Sequence, residues 1–284
     1  MSDSYSVLHH ETEERVRALK FPVFPEALSA ILRETKADDP NNHVIERYVI
    51  RDPGLAGSML ATVNSAAFGL LRPATSIQEA LLLLGLRTVA SLVTGLLLKR
   101  AFASVKSPGM QRYWDEAPRD AAVAMYLARK AQRIREDEAY TYGLFYRAGM
   151  PVLRLTHADY EPIIAGDSPL VGNELLAAER EHFGIDHIDV GAQLAKKWAL
   201  FGDAGGALRL TSTSNAANQT TGAQEKRRKE VDDLIALGKV LPYVRAKATG
   251  RSTQQLLEPA NEAINTLGMS LGELESFMPE LTSR

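Results

Sequence analysis

The run ALLLLGLRTVASLVTGLLL, residues 80 to 98, is nineteen residues long and carries one charge, Arg87. A helix of that length can cross the hydrocarbon core of a bilayer, so the run is either a membrane span or a helix inside a large protein core. Its upstream flank reads as the start of a soluble helix: Ser76 can cap the first turn and Glu79, three residues on, completes a capping box. Arg87 near the middle is costly in lipid, and Thr88, Ser91 and Thr94 add hydroxyls. No second run of this kind exists, and the N-terminal MSDSYSVLHHETEERVRALK has no apolar stretch of the signal-peptide type. The sequence predicts a central helix buried on every side, no membrane span and a cytoplasmic protein.

A chain of 284 residues can bury such a helix in one large domain or in a domain with an appendage. The flanking apolar residues recur with helical spacing. Leu28, Ile31 and Leu32 share a face, as do Val44, Ile45, Tyr48 and Val49, and Asp52-Pro53 reads as an N-cap and first-turn proline before Leu55, Met59, Leu60 and Val63. EDEAYTYGLFYRAGMPVLRL reads as a helix bent near Gly149-Met150-Pro151, followed by GNELLAAEREHFG and HIDVGAQLAKKWAL. No alternating strand pattern is evident, so the expected fold class is all-α. Residues 211 to 224, TSTSNAANQTTGAQ, read as a loop or linker. Beyond them come a long helix from about Glu225 and two helices opened by the boxes Ser252/Gln255 and Ser270/Glu273. The expected organisation is an N-terminal segment 1–20, a domain 21–215, and a C-terminal helical extension 216–284 packed on that domain.

Several chemistries are excluded or weakened by composition. The chain has no cysteine, so it has no disulfide, thiolate nucleophile or cysteine metal site. A net charge of -2 gives no general attraction to nucleic acid or anionic membrane. Two basic runs remain, Lys226 to Lys229 and RKAQRIR at 129 to 135; each reads either as a phosphate-binding patch or as a solvated helix face with i,i+4 pairs. No phosphate-binding glycine loop or serine-nucleophile elbow is present. Among the six histidines, local pairings of candidate metal ligands are His157 with Asp159, and His182 with His187 and Asp189. Five-residue spacing sets His182 and His187 poorly on one helical face, and Gly184 interrupts them. A helix-start histidine bonding the backbone is the simpler role for His187. No cofactor is expected.

Several spaced residues match together along the front: Pro22 and Pro25, Arg51-Asp52-Pro53, Asn64-Ser65-Ala66-Ala67-Phe68-Gly69, Ser76-Ile77 with Ala80, and Leu84-Gly85. Trp114 follows, then Gly184, His187, Val190-Gly191, Leu194 and Trp198. With these the chain resembles the HDOD family, bacterial signalling modules related to HD-type metal phosphohydrolases, over about residues 21–215. The resemblance implies a multi-helix bundle with a degenerate HD-like half. The family's His-Asp pair falls in GLFYRAGMPVL, where this chain has Tyr146 and Arg147, and Glu116-Ala117 follow Trp114 where a histidine often stands. A guanidinium repels a cation, so the departure points away from catalysis.

The resemblance therefore implies a non-catalytic regulatory module that binds a signalling protein and, as a further ligand, a nucleotide second messenger. Candidate binding residues are Asn64, Ser65, Arg72, Arg87 and Arg147, with a groove expected between the front and back helical blocks. The Asn64-Ser65 corner reads equally as a structural junction between packed helices. Two alternatives stay open: a divergent metal-dependent phosphohydrolase using His157, Asp159, His182, His187 and Asp189, and a nucleic-acid-binding module using the basic runs.

Overall fold

Short polar side chains and prolines set the helix starts along the front of the chain. In the computed structural model, which describes residues 15–65, 68–165, 170, 172–198, 200 and 222–282, Asn41 accepts the backbone N–H of His43 at 3.0 Å. Asp52 accepts that of Leu55 at 3.0 Å, Ser76 that of Glu79 at 3.1 Å, and Ser107 that of Met110 at 3.3 Å. Each satisfies an amide that the helix itself leaves unbonded. After α1 (Glu26–Glu34), these caps open α2 (Asn42–Ile50), α3 (Pro53–Val63), α4 (Ile77–Ala101) and α5 (Pro108–Ala131). The chain continues through α6 (Glu136–Phe145), α7 (Gly149–Thr156), a short turn at Ala158–Tyr160, α8 (Glu161–Ala165), α9 (Gly172–Phe183) and α10 (His187–Lys197). The tail is α11 (Gly222–Ala248), α12 (Gln254–Thr266) and α13 (Leu271–Thr282). The fold is all-α, with no strand among the described residues.

The apolar run lies in α4, which packs against α1, α2, α3 and α6 and joins the front of the molecule to its back. Its C-terminal half is buried through Val89, Leu92, Val93, Leu97 and Leu98. The N-terminal half departs from the expectation of burial on every side, because Leu82 is 76% exposed and Leu83 44%. Gly85, with φ of 78° and ψ of 160°, breaks the helical path; before it Ile77, Ala80 and Leu81 stay buried while Leu82 and Leu83 face outward. By length and composition α4 could cross a membrane, but half of it forms the centre of this core and its path is broken.

Behind α4, α5 and α6 make the most extensive helix pair, and α7 lies directly on α10. Gly149 and Gly191 allow that last approach: a Cβ on Gly149 would stand 2.0 Å from the carbonyl oxygen of His187. The segment read as one bent helix is two, α6 and α7, with Tyr146, Arg147 and Ala148 between them and Pro151 in the first turn of the second. The tail helix α11 packs across α5 and α6, with α12 and α13 against it. The Ser270/Glu273 box forms, whereas α12 starts from Thr253 without a side-chain cap, so the Ser252/Gln255 box does not. Residues 211–221, His9 and His10, and the side chains of Lys226 to Arg228 lie outside the described residues.

Candidate functional site

Glu116 and Asp120 stand one turn apart on α5, so helical geometry puts both carboxylates on one face. That face meets the α6–α7 junction, where Arg147 is 7% exposed. Its Nη2 lies 2.8 Å from Glu116 Oε2 and its Nε 3.2 Å from Asp120 Oδ2. From the tail, Arg245 on α11 reaches the same carboxylate, with Nη2 2.7 Å from Asp120 Oδ2. Two guanidinium groups and two carboxylates thus neutralise one another in a largely buried site, the arrangement that makes buried charge tolerable. Burial opposes the charge on Arg147, but Asp120 and Glu116 more than compensate and hold its pKa above the ordinary arginine value. Beside it, burial pushes the Tyr146 phenol up to about 12. The Tyr113 ring lies 5.6 Å from the Arg147 guanidinium, and its hydroxyl is buried without a hydrogen-bond partner among the described residues.

These groups border a cavity of about 410 Å³ whose walls come from α5, the α6–α7 junction and α8 to α12. His187 forms part of the wall. It opens α10 after the Asp186 cap, and its Nδ1 lies 2.7 Å from Glu179 Oε2. Glu179 is fully buried, accepts the His187 backbone N–H at 2.8 Å and accepts the Tyr160 hydroxyl at 2.5 Å. A carboxylate, and not the backbone, therefore orients the His187 ring, in place of the expected backbone bond.

The residues expected to act do not converge. Arg147 lies in the cavity wall, Arg72 pairs with Glu79 at the surface, and Arg87 is exposed beside a separate depression that includes Arg135 and Asp137. Asn64 closes a structural corner: its amide donates to the Ala74 carbonyl at 2.9 Å and accepts the Ala74 N–H at 2.7 Å. Ser65 accepts the Phe68 N–H through its backbone in the same corner. His157 packs on the Phe183 ring at 4.6 Å, His182 Nδ1 lies 3.0 Å from the Ala178 carbonyl, and Asp159 is exposed. Asp189 is half-buried in the first turn of α10, the helix that His187 opens. Among the described residues no three His, Asp or Glu side chains stand together as a metal site. The donor set around Arg147 does not fit a metal ion, because both carboxylates are already turned to guanidinium groups and a fixed positive charge sits between them.

In the basic run at 129 to 135, Arg129 pairs with Glu136 at 2.7 Å, Arg133 with Asp233 at 3.3 Å and Arg135 with Asp137 at 2.5 Å. Sequence reading missed Asp120, Arg245 and Glu179. The i,i+4 pair Glu116 and Asp120 was a usable signal for the first, while nothing local marks Arg245, which arrives from the tail.

A profile of the HDOD domain matches residues 21–203. The chain belongs to the HDOD family. Its fold is shared by a crystal structure named as a candidate phosphohydrolase from Shewanella amazonensis SB2B, with TM-score 0.68, 18% identity, and coverage of 96% of this chain and 93% of that one. A crystal structure named as a candidate signal transduction protein from Marinobacter aquaeolei VT8 aligns with TM-score 0.62 and 19% identity over 99% of this chain and 66% of that one. At such identities the likeness is one of fold. An uncharacterized protein of Treponema pallidum (strain Nichols) is 27% identical over 190 residues, 63% of this chain; the chain spans 35% of that relative's length. In this HDOD protein the place where the resemblance puts the His-Asp pair is the Tyr146-Arg147 junction, inside the ion cluster.

Proposed function

We propose that this HDOD protein is a non-catalytic regulatory module of bacterial signal transduction, acting in the cytoplasm by binding a protein partner, with a nucleotide second messenger as a further ligand of the Arg147 cavity. The observation that carries the reading is the buried Arg147, matched by Glu116 and Asp120 and shared with Arg245. A hydrolytic centre of the HD type needs ligands free to bind cations, and here the carboxylates neutralise arginines. The pairing of Arg129, Arg133 and Arg135 with carboxylates speaks against a phosphate-binding patch for nucleic acid.

One observation favours a second reading, a divergent phosphohydrolase: His187 stands on the cavity wall with a carboxylate behind it, an arrangement that also orients catalytic and metal-binding histidines. Elemental analysis of untagged protein, alongside turnover of generic phosphoesters, separates the two. The regulatory reading expects no stoichiometric manganese, iron or zinc and no turnover. Stoichiometric metal that disappears in His187→Ala, together with turnover, would establish the hydrolase instead.

A further inference from the structure

On the other side of α5 lies a second, larger cavity of about 840 Å³, bounded by α3, α4, α5 and α6, which shares no wall residue with the first. Its volume falls in the range of small-molecule sites, roughly 300–1,000 Å³, and such sites are mostly apolar with a few placed polar groups. Along α3 the wall is made by Leu55 and by four short residues, Gly54, Ser58, Ala61 and Thr62, and Leu96 and Trp114 add bulkier surface from α4 and α5.

Its charge pattern is one-sided. No aspartate or glutamate lines it, although the chain has 35 acidic residues against 33 lysines and arginines. Lys99, Arg100 and Lys106 stand together at the α4–α5 connection. Arg100 is paired with Asp52, but among the described residues neither Lys99 nor Lys106 has a carboxylate partner, and both are exposed. Most of the wall is apolar, and its polar groups are few, Ser58, Thr62, Ser107 and Gln111 besides the three cations, so a ligand with a long apolar part and one polar end suits it better than one polar throughout. The cationic end recognises a negative head, and lysine stems extend the apolar wall up to that head.

We propose that this cavity binds an anionic amphiphile with one acyl chain, a carboxylate of the fatty-acid class, its chain along α3 and Trp114 and its head at Lys99 and Lys106. The proposal does not depend on the regulatory reading, because it concerns other residues on another face.

Trp114 in the wall supplies the readout, as one of only two tryptophans in the chain. Dibromostearate, whose bromines quench tryptophan at short range, is titrated into the full chain below its critical micelle concentration. Saturable quenching with one-to-one stoichiometry is expected. The midpoint should rise about tenfold in Lys99→Met/Lys106→Met and for the corresponding dibromo alcohol, the size expected when one charge-assisted contact is lost. Ala61→Phe, at an exposed position on α3, should fill the cavity and abolish saturation while leaving the thermal melt unchanged. Quenching that never saturates, that survives in a folded Ala61→Phe, or that is equal for acid and alcohol would overturn the proposal.

Discussion

Removing the Arg147 guanidinium leaves Glu116 with Arg245 as its remaining cation among the described residues, and that contact is long, 3.7 Å from Arg245 Nε. Loss of one member of a buried ion network leaves uncompensated charge, so Arg147→Met should lower stability by about 3 kcal/mol in urea unfolding. Arg147→Lys should recover only part of this, because a single ammonium cannot span both carboxylates as the planar fork does. Two glycines offer a contrast of the same kind. A Cβ at Gly149 meets the His187 carbonyl, so Gly149→Ala should cost several kcal/mol, on the order of an overpacked core site. Gly57, within α3, has nothing within 4 Å of an added Cβ, and Gly57→Ala should stabilise by about 0.5–1 kcal/mol. At this scale the sequence was partly legible. Arg147 stood out because the resemblance assigned its position to a metal ligand, but Glu179 and Asp120 look like ordinary helix-surface acids until the fold buries them.

Helix starts were the most legible elements, because a cap is a local contract between neighbours: Asp52, Ser76 and Ser270 all bond the amides their spacing implied. Ser252 failed for the same local reason, since α12 starts at Gln254 behind Thr253 and the serine falls outside the first turn. The apolar run was legible as a helix and not as a broken one. Hydropathy is blind to φ, and only the backbone shows that Gly85 holds a conformation nearly closed to other residues. Gly85→Ala should therefore cost about 2 kcal/mol even though an added Cβ touches nothing, a cost that comes from the backbone alone. Leu82→Gln on the exposed side of the break should change stability by less than about 0.5 kcal/mol. Paired urea melts of the two variants check both statements.

Across the whole molecule, burial of phenols links stability to alkaline pH. Tyr113, Tyr140, Tyr146 and Tyr160 are each raised by burial, Tyr146 to about 12. In the unfolded chain they ionise near 10. Since the folded value is the higher one in each case, the stability they contribute is intact below about pH 10 and is lost progressively above it, for Tyr146 as pH rises through about 12. Absorbance at 295 nm should show these four of the nine tyrosines ionising together with unfolding; a smooth titration of all nine near pH 10 would contradict it. The tail contributes to the same body, because Val240, Leu241 and Val244 of α11 are buried. A fragment ending at residue 203, where the family match ends, should expose the α5–α6 surface that α11 covers and lose solubility.

The hold of Arg245 on Asp120 also bears on how freely the junction can change. A chain carrying Tyr146→His and Arg147→Asp would still meet a guanidinium delivered by a helix from the tail. The first changes alone would crowd carboxylates around a single arginine, and the change at 245 alone would strand Asp120 with less charge to balance it. Each single change passes through a less stable protein, so a helix from the tail fixes which side chains the α6–α7 junction can carry.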